Sequence, residues 1–184
     1  MELALFIAVV LLALSIILAY NQLIALRNNR EQSFSDIDVQ LKLRYDLVPN
    51  LVNAVKGYAT HEKDLFENIA KLRTQAMGAQ GVDEKVLIEN QFTSVLKSIF
   101  AVSESYPELK ANENFLQLQK QLADVENKIA ASRRFFNHAT KELNTVLMSF
   151  PVNVLNMIFR FKQGNFFEIG ADEAVQKENV TVNI

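Results

Sequence analysis

Three carboxylates, two cations and a tyrosine crowd into SDIDVQLKLRYDLVPNLV, residues 35–52. Paired carboxylates could divide general acid and base roles, and Tyr45, Asp46 and Asn50 beside Pro49 could line a hydrolytic pocket. Such a hydrolase would need a deep cleft there and a carboxylate with a perturbed pKa. Asp36 and Asp38, however, are two residues apart and point to different faces of a helix, which makes them a poor acid–base pair. His61 and His138 are the two histidines. Neither lies in an HExxH pattern or four residues from another histidine, so neither has the local signature of a metal site. No G-x-S-x-G elbow or phosphate-binding glycine loop occurs, which leaves serine hydrolase and NTPase chemistry without support. Cysteine is absent, so thiolate chemistry, disulfides and cysteine–metal sites are excluded. The expectation is a protein with no enzymatic activity and no cofactor.

The same residues also read as a packing helix. Phe34, Ile37, Leu41, Arg44, Val48, Leu51, Val55 and Tyr58 alternate by three and four, with Arg44 as the one charge among them. The pattern weakens at Gly57 to Thr60, where Thr60 could cap a new start. Leu65, Ile69, Leu72 and Ala76 form a second stripe. GAQGVD, residues 78–83, is a turn with a capping aspartate. Ile88, Phe92, Val95, Ile99 and Val102 form a third stripe, broken by SYPELKAN, in which Asn112 is a good N-cap. A fourth runs through Phe115, Leu118, Leu122, Val125, Ile129, Ser132, Phe136, Ala139, Leu143, Val146 and Phe150. Pro151 ends that helix or opens a short one. Five glycines and three prolines in 184 residues leave little to interrupt such helices.

LALFIAVVLLALSIILAY, residues 3–20, opens an uncharged run to Leu26. As a helix its length of about 24 residues, roughly 36 Å, would cross a hydrocarbon core of about 30 Å. A cleaved signal peptide would begin with a basic region, and Glu2 stands there instead. A soluble core helix is seldom apolar all round for this length. Arg27, Arg30, Lys42 and Arg44 follow the run and no cation precedes it, which places the C-terminal side in the cytoplasm. The expectation is a single-pass protein of the bacterial inner membrane with its N-terminus outside and a cytoplasmic domain. A net charge of -2 and the lack of a basic aromatic patch give no reason to expect nucleic acid as a partner.

The helix lengths predict an all-α fold. The N-terminal transmembrane helix, residues 1–26, continues into an antiparallel four-helix bundle, residues 27–169, whose first and last helices are long and whose middle two are short. Residues 170–184 are expected to be a flexible tail. With Tyr58 opposite Asn112 in an antiparallel pair, Arg44 faces Glu126. Asp36 and Asp38 then lie opposite Arg134 and Ser132, with Arg133 one turn away. These charges would lock the register of a coiled-coil-like seam. Pro49 falls off the seam, where its missing N–H costs a gentle bend.

Val39, Leu43 and Leu47 make a second apolar stripe on the first helix, offset from the first. A helix apolar on two sides is buried on two sides, by neighbouring helices or by a second copy of the chain. Phe159, Phe161, Phe166 and Phe167 would return to the level of the membrane. There they would pack on the long helices or lie in the lipid interface with Arg160 and Lys162 toward headgroups.

The segments SDIDVQLKLRYDLVPNLVNAVKGYATHE, AVSESYPELKANENFLQLQKQL, VENKIAASRRFFN and SFPVNVL, in this order after a single span, resemble the LemA family of bacterial proteins. Many members carry tyrosine where this chain has Phe136, so a hydroxyl role there does not carry over. The resemblance implies a single-pass membrane protein with a cytoplasmic four-helix bundle and no established activity or ligand site. Family genes often accompany TPM-domain membrane proteins and membrane metalloproteases. The expected function is a membrane-anchored, non-enzymatic scaffold that forms a homo-oligomer. The alternative is an adaptor for a membrane-bound partner such as a protease or TPM-domain protein.

Overall fold

A computed structural model describes residues 1–168. Among these, every regular element is helical and there is no strand. The order is α1 (Glu2–Lys56), α2 (Lys63–Gly78), α3 (Val82–Glu104), α4 (Pro107–Lys110), α5 (Glu113–Met148) and α6 (Val152–Phe159). The tail expected over residues 170–184 lies outside the described residues.

No glycine interrupts α1, and Pro49 is its one proline. The helix ends where Gly57 follows Lys56, and the N–H groups of Tyr58 and Ala59 both reach back to the Val55 carbonyl, at 3.0 and 2.9 Å. Thr60 is not the cap of α2. Glu62 holds that position and makes no side-chain cap bond. In the next turn Gly81 has φ 78, a left-handed conformation that suits glycine, and it precedes α3 directly. Asp83 therefore sits inside the first turn rather than at the cap, and the Glu84 carboxylate accepts the Gln80 N–H at 2.9 Å. Pro107 opens α4, where a helix has no use for the missing N–H. Asn112 caps α5 by accepting the Phe115 N–H at 3.1 Å.

The chain forms two compact units. The first comprises Met1–Ile37 and Ser132–Phe166. Its apolar segment at the start of α1 is long and apolar enough to cross a membrane, and the side chains of that segment are unburied. Just beyond, Leu23, Leu143, Leu147 and Val152 form a small core, with Leu26, Val146, Phe159 and Phe161 packed against it. The chain after α6 is extended and pinned by two asparagines. Asn156 accepts the Phe161 N–H at 2.8 Å and donates to the Phe161 carbonyl at 3.0 Å. Asn144 does the same for Gly164, at 2.8 and 2.9 Å. Each amide thus satisfies both backbone groups of a residue that has no ladder partner.

The second unit comprises Asp38–Ala131 with Phe167 and Glu168 among the described residues. Leu41, Val48, Leu51 and Val55 of α1 are buried, as are Phe66, Ile69, Leu72 and Ala76 of the adjoining α2. The buried face of α3 is Glu89, Phe92, Leu96, Ile99 and Ser103. Apolar spacing had favoured Ile88, Val95 and Val102, which are half-buried instead. The face is turned because it must present the carboxylate of Glu89 inward. α5 contributes Phe115, Leu122, Val125 and Ile129. Phe150, expected at the end of that stripe, lies beyond the helix and is 82% exposed.

Candidate functional site

Arg44 is fully buried in the second unit, and a buried guanidinium must be paired because it cannot deprotonate. One nitrogen, Nη2, binds the Glu89 carboxylate of α3, and Nη1 binds the Glu126 carboxylate of α5. Nη1 also lies 3.4 Å from the Thr93 hydroxyl. Tyr45 donates its hydroxyl to the second oxygen of Glu89. The Phe92 ring underlies the cluster, 5.3 Å from the guanidinium carbon and edge-on to Tyr45 with centroids 5.4 Å apart. Glu89 is 1% exposed and Glu126 41%. The Arg44–Glu89 pair is therefore the desolvated one, and Glu126 keeps part of its water. Both oxygens of Glu89 are engaged by donors, one from Arg44 and one from Tyr45.

The register of α1 against α5 has a second contact. Asn112 Nδ2 donates to the Tyr58 hydroxyl at 3.2 Å. This contact and Arg44–Glu126 run in opposite chain directions along the two helices. Against α3 the direction is the same as that of α1: Asp38 pairs with Lys85, one turn before Glu89. Lys85 is a partner of Asp38 that the sequence reading does not name. The contact that joins Arg44 to Glu89 also brings the start of α3 to Asp38, a pairing that matching α1 with α5 alone does not anticipate. Asp36 and Arg134 are exposed, and Arg133 is half-buried.

Pro49 has a specific consequence. It lacks the N–H that would bond the Tyr45 carbonyl. Arg73 of α2 donates its Nε to that carbonyl at 2.8 Å, and its Nη2 lies 3.8 Å from Asp46. The proline frees an acceptor and the next helix uses it. Arg73→Met should destabilise the second unit by about 1–3 kcal/mol, the cost of a buried acceptor left unmet. The loss should shrink when Pro49→Ala restores the helical donor. A double-mutant cycle by chemical denaturation measures this coupling, and additive effects would refute it.

Tyr45 points inward to Glu89 while Asp46 and Asn50 are exposed, so the three do not converge on one pocket. A cavity of about 280 Å³ does lie beside Pro49, between residues such as Val52, Asn53, Phe66 and Ala70. Among the described residues no group of three or more His, Asp or Glu side chains is placed to hold a metal ion.

Of the second stripe, Val39 is 56% and Leu43 46% exposed, and Leu47 is half-buried. The terminal phenylalanines separate. Phe159 and Phe161 stand edge-on to Tyr20, with centroids 5.2 and 6.0 Å away. Phe166 is exposed, but Phe167 is buried and so is a core side chain rather than an interfacial one. The exposed apolar groups of α6 are instead Val154, Met157 and Ile158.

The LemA family profile matches residues 33–184, a span that holds Arg44, Glu89 and Glu126. The chain belongs to the LemA family. It is similar to magnetosome protein MamQ 2 of Paramagnetospirillum magneticum, 23% identical over 187 residues, which covers 88% of this chain and 69% of that protein. Magnetosome protein MamQ of Magnetospirillum gryphiswaldense is also 23% identical, over 179 residues that cover 83% and 66%. Protein LemA of Metamycoplasma hominis is 24% identical over 135 residues, covering 72% of this chain and 61% of its own.

For this LemA-family chain the sequence points to Arg44 and Glu126 but misses Glu89, Lys85 and Arg73. The available signal for Glu89 is its place three residues before Phe92 and seven before Leu96, on a face that has to neutralise a buried arginine.

Proposed function

We propose that this chain is a membrane-anchored, non-enzymatic scaffold that assembles with copies of itself. Residues 1–26 anchor it in the bacterial inner membrane with the N-terminus outside, and residues 27–169 form an antiparallel four-helix bundle in the cytoplasm. The observation that carries this reading is α1 itself. One helix bears the apolar segment, the buried face around Arg44 and, on its opposite side, the exposed Val39 and Leu43. The likeness to the MamQ and LemA proteins supports a shared architecture across this region. The chain directions of the Tyr58–Asn112 and Asp38–Lys85 contacts support an up-down-up-down order.

Purification from native membranes in mild detergent tests the proposal, with the particle mass measured across a concentration series. The scaffold reading expects oligomers of this chain alone. A monomer at high concentration would refute self-association, and a stoichiometric foreign membrane protein in its place would favour an adaptor.

A further inference from the structure

The first unit holds a cavity of about 560 Å³ whose lining begins inside the apolar segment and ends in basic residues. Tyr20 and Ile24 of α1, with Phe159 and Phe161, form its apolar and aromatic side. Arg27, Arg30, Arg160 and Lys162 line the rest, with Glu31 as the one carboxylate in the lining. Glu31 is paired to Arg27 at 2.9 Å.

The basic side is held in place. Arg30 donates Nε to the Thr140 hydroxyl at 2.9 Å and Nη2 to the Asn165 carbonyl at 3.0 Å, and its guanidinium carbon lies 4.7 Å from the Phe136 ring centroid. The chain that carries Arg160 and Lys162 is fixed on either side by the Asn156–Phe161 and Asn144–Gly164 clamps. Arg160 has a left-handed backbone, φ 55, where the chain leaves α6. Gly164 approaches Arg30 so closely that a Cβ there would lie 2.4 Å from Nε. A side chain at 164 would therefore displace the Arg30 guanidinium from these hydrogen bonds.

We propose that this cavity binds the phosphate head of an anionic phospholipid, with the first part of the acyl region against Tyr20, Ile24 and Phe159. Three observations converge on this ligand. The volume lies within the ordinary range for small-molecule sites. The lining changes from apolar to cationic along α1 at Arg27, the first charge after the apolar segment, which is where a lipid changes from hydrocarbon to phosphate. Guanidinium groups suit phosphate oxygens, and basic clusters next to a span attract anionic headgroups. The assignment rests on the reading of residues 3–26 as a membrane span.

Native mass spectrometry of the full chain in a neutral detergent tests it, with phosphatidylglycerol or phosphatidylcholine of equal acyl length added. The unaltered chain should retain one phosphatidylglycerol and no phosphatidylcholine. Arg160→Gln with Lys162→Gln removes two exposed cations that hold no part of the fold, and it should weaken retention about 30-fold at unchanged melting temperature. Equal retention of the two lipids, or undiminished retention in the variant, would overturn the proposal. Displacement of the lipid by inorganic phosphate at equal concentration would assign the cavity to free phosphate and also overturn it. Resistance of the chain to alkaline extraction from membranes reports the anchor separately, so a failed anchor and a failed lipid site are distinguishable.

Discussion

Arg44→Ala is expected to destabilise the chain by about 3–5 kcal/mol, while Lys42→Ala changes it by less than about 0.5 kcal/mol. The two residues differ in burial and not in charge: Arg44 is fully buried and Lys42 is exposed. Alanine at 44 removes the cation that neutralises Glu89, and the Glu89 carboxylate remains buried. The loss therefore reflects an uncompensated carboxylate more than a lost attraction. Replacing Arg44 and Glu89 together by methionine should recover much of it, because an apolar pair of similar size carries no desolvation cost. Thermal unfolding followed by circular dichroism should place Arg44→Ala roughly 10 °C below the unaltered chain. Equal melting temperatures for the Arg44 and Lys42 variants would refute the cluster as a lock. Glu126→Ala should fall between them, since its carboxylate is 41% exposed and partly hydrated.

Adjacent phenylalanines give the second large contrast. Phe136→Ala should cost about 3–5 kcal/mol and Phe135→Ala less than about 0.5 kcal/mol. Phe136 is fully buried, its centroid 5.5 Å from that of Phe34, with the Arg30 guanidinium over its face. Truncation leaves a cavity and removes the surface on which Arg30 rests. Phe135 is 72% exposed. Similar losses from the two variants in denaturant unfolding would mean that the buried face of α5 is wrongly placed.

Much of this is legible in the sequence because helix periodicity constrains burial. Alternation by three and four puts Arg44 among apolar residues of α1 and Phe136 among those of α5. The caps also carry register, for Asn112 marks the start of α5 and meets Tyr58. Glu89 is less legible, since apolar spacing ranks Ile88 above a carboxylate. The charge requirement of a buried arginine reverses that ranking. Arg73 is hidden for another reason: its acceptor exists only because Pro49 removes a donor, and sequence spacing does not say which helix supplies the replacement. Asn144 and Asn156 act on backbone in an extended segment, which no side-chain period records. The phenylalanines after α6 show the same limit. Composition marks them as needing cover but does not distinguish the buried Phe167 from the exposed Phe166.

In this chain α1 thus presents two different apolar faces, one closed by an ionic lock and one open at Val39 and Leu43. The chain has no cysteine, so a single introduced thiol reports its neighbours without background. Oxidative crosslinking of Leu43→Cys in intact membranes tests self-association through this face most directly. The account predicts a disulfide-linked dimer for Leu43→Cys and for Val39→Cys, and monomer for Lys120→Cys, an exposed position on α5. Monomer at positions 39 and 43, or equal dimer at all three, would contradict it.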